Sequence, residues 1–67
     1  PQVIVTLGRF AMNIFIPGAQ ISHLHGQIQK IDQLSIIPLY HPAAAIYQQK
    51  LKATLFQDFQ KIKEFLN

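Results

Sequence analysis

With 67 residues and no cysteine, the chain is one small domain at most, and it excludes a disulfide framework, a thiolate metal site and a cysteine nucleophile. Hydrophobic residues make up 49% and charged residues 13%, about half the charged share of an average domain, so we expect apolar faces that other parts of a larger fold cover. The net charge of +3 is compatible with an anionic partner, but a solvated helix face is the better reading of charge alone, since Lys50, Lys52, Lys61 and Lys63 all lie in the C-terminal third.

The chain begins at Pro1 and enters an apolar run at once. We therefore expect a piece of a longer fold, lacking its N-terminal part. No stretch approaches the roughly 20 apolar residues of a membrane span and no signal peptide is visible, so a cytoplasmic protein with no membrane partner is the expectation.

Val3-Ile4-Val5-Thr6-Leu7 is an unbroken, β-branched run. Without polar alternation it reads as a strand (3–7) buried on both faces, as in a parallel sheet flanked by helices. Gly8 allows a tight turn into a short helix over 9–16 that stops before Pro17. Strand, glycine and helix in succession make the carboxyl end of the strand a ligand crevice. Pro17-Gly18-Ala19 reads as a loop, and Ile21 to His25 fits a helical turn or an extended segment. Gly26 ends it. Two hairpin-like strands follow at 27–31 and 34–40, around a turn at Asp32-Gln33. Pro38 inside the second strand requires a position whose N–H no neighbour needs.

The last segment is the plainest. Leu51, Leu55, Phe59, Ile62 and Leu66 recur at helical spacing, with Phe56 and Phe65 widening the stripe. They predict a helix over 48–66 with that stripe on the core and Lys50, Lys52, Asp58, Lys61 and Glu64 largely on the solvent side.

Between the second strand pair and this helix lies "PLYHPAAAIY", Pro38 to Tyr47. A lone histidine after an apolar strand is most often a partly buried residue bonded to a carbonyl. Here Pro42 suits the first position of a helix or turn, and Ala43, Ala44 and Ala45 leave backbone amides uncovered, where an anionic group could approach. A strand end, a histidine and a bare turn describe an oxyanion or phosphate site over 41–47 better than a core.

These residues carry a resemblance. "VIVTLGRFA" (Val3 to Ala11), with Leu7, Gly8 and Ala11, is similar to a strand of the iron–sulfur type, family 4, uracil-DNA glycosylases. "HGQ" (His25-Gly26-Gln27) resembles that family's glycine ahead of a hairpin, and His41-Pro42-Ala43 its second active-site motif. "LKATLFQDFQKIKEFL" resembles its closing helix. The resemblance covers essentially the whole chain in order. It implies the C-terminal portion of a three-layer α/β/α fold with a mostly parallel central sheet, in an enzyme that excises uracil from DNA.

Such an enzyme takes uracil out of the stack into a pocket. The resemblance makes His41 the catalytic donor to uracil O2. It places Pro42, Ala43, Ala44, Ala45, Ile46 and Tyr47 against DNA, single- or double-stranded, with Ile46, or failing it Tyr47, as the wedge that fills the gap. Gly8 and Arg9 are the candidates for the pocket or its loop, with an ordinary surface arginine the better reading of Arg9.

Several family features are missing. The first active-site motif with its water-positioning acid, the aromatic that stacks on uracil and the asparagine that reads its edge are absent. So are the cysteines of the family's [4Fe–4S] cluster, so the cluster belongs to the parent protein and this chain binds none. Alone, the chain is expected to be inactive. His23, His25 and His41 lack the carboxylate pattern of a metal site, and no metal is expected. Two further readings stand beside the enzyme: a non-catalytic DNA-binding module of the same superfamily, and a structural α/β subdomain with a merely solvated basic helix.

Overall fold

The computed structural model describes residues 2–66. Strand β1 (Gln2–Leu7) leads directly into helix α1 (Gly8–Phe15). A single helical turn, α2 (Ile21–Leu24), precedes strand β2 (Gln29–Ile31) and strand β3 (Leu34–Leu39). The short helix α3 (Pro42–Tyr47) and the long helix α4 (Gln49–Leu66) complete the chain. The class is α/β. The strands form one mixed sheet in the order β1-β3-β2, with β3 parallel to β1 and antiparallel to β2.

The central strand organises the core. Ile37 and Leu39 pack against Leu55 and Ile62 of α4, with Tyr40 alongside. Ile36 points to the opposite face and is fully buried, as is Met12 of α1, the helix that packs on β1 and β3. Coverage on both faces is what an uninterrupted apolar strand requires. Pro38 fits because the β2 ladder ends at the Gln29–Ile36 pair. Beyond that point the strand offers only the Pro38 carbonyl on this side, and it accepts the Gly26 N–H at 2.7 Å. The hairpin turn places Asp32 at φ 55, a left-handed conformation that aspartate tolerates.

Three expectations need correction. First, β1 is not buried on both faces. Val3, Val5 and Leu7 are 40%, 40% and 42% exposed, and Thr6 is buried. Val5 pairs with Ile37 and Leu7 with Leu39, so this row lies on the α4 side of the sheet. Helix α4 packs on β3, and β1 is an edge strand beyond it.

Second, the stripe on α4 is buried only along part of its length. Leu55 and Ile62 are buried, whereas Phe56, Phe59, Phe65 and Leu66 are exposed. An 18-residue helix is about 27 Å long, whereas three strands span only about 10 Å between outer axes. Asp58, assigned to solvent by periodicity, is 1% exposed. It turns toward Gly26 and accepts a hydrogen bond from His25 Nδ1 at 2.8 Å.

Third, 41–47 is not a loop: Pro42 to Tyr47 form helix α3. Proline is preorganised for a first helical position and alanine is the best helix former.

Gly26 and Gly18 separate two costs. Both have positive φ, 73° and 78°. A Cβ at Gly26 would overlap the Asp58 carboxylate, whereas a Cβ at Gly18 meets nothing within 4 Å. Urea unfolding should show Gly18→Ala losing about 1–2 kcal/mol from the left-handed backbone, and Gly26→Ala losing about 1–3 kcal/mol more from overpacking.

Candidate functional site

The parallel pairing of Leu7 with Leu39 ends both strands side by side. Gly8 follows one and Tyr40-His41 the other, so the crevice opens at the carboxyl ends of parallel strands. Gly8 has φ 86, and a Cβ there would lie 3.3 Å from His41 Cβ and 3.7 Å from Cδ2. The imidazole therefore rests against bare backbone. Around it runs an apolar groove of about 670 Å³, bounded by Leu7, Phe10, Ile14, Ile21, Tyr40 and Ala44.

His41 is the N-cap of α3, with extended backbone at φ −68 and ψ 135. Its Nδ1 accepts the Ala43 N–H at 3.0 Å. An acceptor nitrogen carries no proton, so this bond selects the tautomer with hydrogen on Nε2. Among the described residues Nε2 makes no hydrogen bond. With Nδ1 engaged, Nε2 is the ring nitrogen left to donate. Helix initiation and donor geometry come from one hydrogen bond.

The same bond corrects the expectation of bare amides. The Ala43 N–H is occupied by the ring, and the Ala44 N–H donates to the His41 carbonyl at 2.9 Å. What the three alanines leave open is surface: Ala43 is exposed, and Ala44 and Ala45 are half-buried. Pro42, Ile46 and Tyr47 are exposed on the same helix. Arg9 is exposed at the groove rim, its guanidinium carbon 5.0 Å from the Phe10 ring centroid. Such a cation–π contact holds the arginine at the mouth of the groove.

A protein-family model described as the uracil DNA glycosylase superfamily matches residues 1–66. The chain belongs to that superfamily. It is 37% identical to the type-4 uracil-DNA glycosylase of Archaeoglobus fulgidus, over 96% of this chain and 37% of that protein. With the type-4 enzyme of Thermotoga maritima it shares 31% identity over 98% of this chain and 37% of the relative. The type-4 enzyme of Saccharolobus solfataricus is 30% identical over 100% and 35%. The chain spans about a third of the length of these superfamily members.

The cluster implied by the resemblance does not fit the residues present. The chain has no cysteine, and among the described residues no three His, Cys, Asp or Glu side chains lie close enough to share a metal. His23, His25 and His41 therefore do not converge. Among the described residues no helix is long and apolar enough to cross a membrane.

The structure brings His41, Gly8 and Arg9 to one groove with Ala43 and Ala44. Phe10, Ile14, Ile21 and Tyr40 line it as well, and sequence reasoning did not single them out. The signal available for Phe10 and Ile14 is their spacing of four, which places both on one face of α1.

Replacing His41 separates its two tasks. His41→Ala removes the cap and should lower stability by about 1 kcal/mol. His41→Asn supplies another good cap and should unfold at nearly the wild-type denaturant midpoint.

Proposed function

We propose that this chain is the His-Pro-Ala portion of a uracil-DNA glycosylase that hydrolyses the N-glycosidic bond of deoxyuridine in DNA. The observation that carries the reading is the Ala43 N–H bonded to His41 Nδ1, which leaves a preorganised Nε2–H donor beside Gly8. When the bond between the sugar C1′ and uracil N1 breaks, its electrons pass to uracil and accumulate largely on O2. A fixed donor directed at that oxygen stabilises the departing anion more than the bound base. Water adds to C1′, and the products are free uracil and an abasic site. The acid that positions this water, the aromatic that stacks on uracil and the asparagine that reads it belong to the rest of the protein, together with the [4Fe–4S] cluster.

The surface around α3 supports the DNA contact. Ile46 and Tyr47 are 78% and 86% exposed, which suits a wedge pressed into the minor groove better than a core role. Ala43, Ala44 and Ala45 let that helix approach the duplex closely, now through small side chains rather than free amides. The uncovered row Val3, Val5 and Leu7 and the unpaired edge of β1 support a partner in the missing N-terminal part of the same fold.

Uracil release from a single-stranded oligonucleotide by the intact protein tests this. His41→Ala should lower the rate by about 10²–10³-fold. His41→Asn should lose as much while remaining folded. Wild-type protein that binds DNA in a salt-dependent manner yet releases no uracil would replace this reading with the non-catalytic DNA-binding module. The wedge has its own signature. Ile46→Ala should slow excision from duplex DNA by about tenfold and leave the single-stranded substrate nearly untouched, because only the duplex has a stack to hold open.

A further inference from the structure

Away from the groove, helix α4 buries a carboxylate. Asp58 is 1% exposed and is bonded to His25 Nδ1 at 2.8 Å, with Lys61 Nζ more distant at 3.9 Å. Taking a carboxylate out of water costs several kcal/mol, and a well-packed apolar residue often serves stability as well or better. Closing α4 onto the sheet does not require this pair. Its position suggests what does. The His25 ring lies 4.9 Å, centroid to centroid, from the ring of Tyr40, with the planes inclined at 36°, inside the range of favourable aromatic contact. Tyr40 in turn lines the groove and immediately precedes His41.

The backbone is tied at the same place. Gly26, next to His25, donates its N–H to the Pro38 carbonyl at 2.7 Å, and its lack of a Cβ is what admits the Asp58 carboxylate. A continuous set of contacts therefore runs from the middle of α4 through His25 to Tyr40 and the site.

We propose that His25, anchored by Asp58, is a positioning residue: its ring fixes Tyr40 and thereby the placement of His41 in the groove. The proposal rests on the glycosylase reading for its kinetic consequence and on geometry for the rest. His25 touches neither the base nor the reacting bond in this scheme.

The test uses the intact protein and a single-stranded uracil-containing oligonucleotide. His25→Asn keeps a donor near the position of Nδ1 and removes the ring. His25→Phe combined with Asp58→Ala keeps a ring and removes both polar partners, so neither is left orphaned. His25→Asn should lower kcat by about tenfold or more with KM changed less than about twofold, because a misplacement of about 1 Å reaches up to about 10²-fold in rate. The double variant should recover most of that loss, even at a lower Tm. An unchanged kcat in His25→Asn overturns the proposal, as does a loss in both variants that follows Tm alone. If His25→Asn does not fold, the double variant decides: kcat near wild type supports the ring, and a depressed kcat overturns it. If wild-type protein releases no uracil, the glycosylase reading fails separately. The geometric claim is then decided by NMR, where ring resonances of Tyr40 and His41 should move in His25→Asn and stay in place in the double variant. Unmoved resonances overturn it.

Discussion

The site depends on the register between β1 and β3. Pairing Leu7 with Leu39 sets Gly8 against His41. A slip of two residues keeps every side chain on its own face but carries Gly8 about 7 Å away from the imidazole. A slip of one turns Ile4 and Thr6 away from the α1 side of the sheet. Burial of Ile36, Ile37 and Leu39 and the Pro38–Gly26 hydrogen bond hold the central strand in place. The edge strand then delivers the glycine. The placement of His41 beside Gly8 is thus a by-product of sheet pairing.

On that frame His41 has a double occupation. Serine, threonine, aspartate or asparagine would start α3 at least as well, so helix capping does not account for a histidine at this position. Capping nevertheless does something that a free histidine lacks. It consumes Nδ1, selects a single tautomer and leaves the N–H on Nε2 without a partner among the described residues. Gly8 leaves out a Cβ that would press on His41 Cβ at 3.3 Å. The ring is therefore oriented before any ligand arrives, the condition under which a hydrogen-bond donor needs no reorganisation as charge develops.

The sequence revealed more of the site than of its surroundings. The strand–glycine–helix order and the histidine–proline–alanine run are local features, and each appears as a local structure near Gly8 and His41. What escaped sequence reading is non-local. Asp58 has the spacing of a solvent-facing residue on α4, and its partner His25 is 33 residues away in the chain, so periodicity had no access to the pair. Likewise the hydrophobic runs of β1 and α4 were read as core. A residue's affinity for burial is visible in sequence, whereas the availability of something to cover it is a property of neighbouring elements. Phe59 and Val5 are apolar and in regular structure, yet both remain exposed.

The uncovered β1 also has a consequence for the life of the molecule in a cell. The strand Gln2–Leu7 has an open edge and contains neither charge nor proline, and its Val3-Val5-Leu7 row is apolar. Those are the attributes by which strands from different molecules stack into aggregates. The hazard grows with concentration, since it depends on copies meeting, whereas the internal energy of the fold does not. Until β1 gains its cover, the quality of the groove around His41 therefore gives no protection against that pairing.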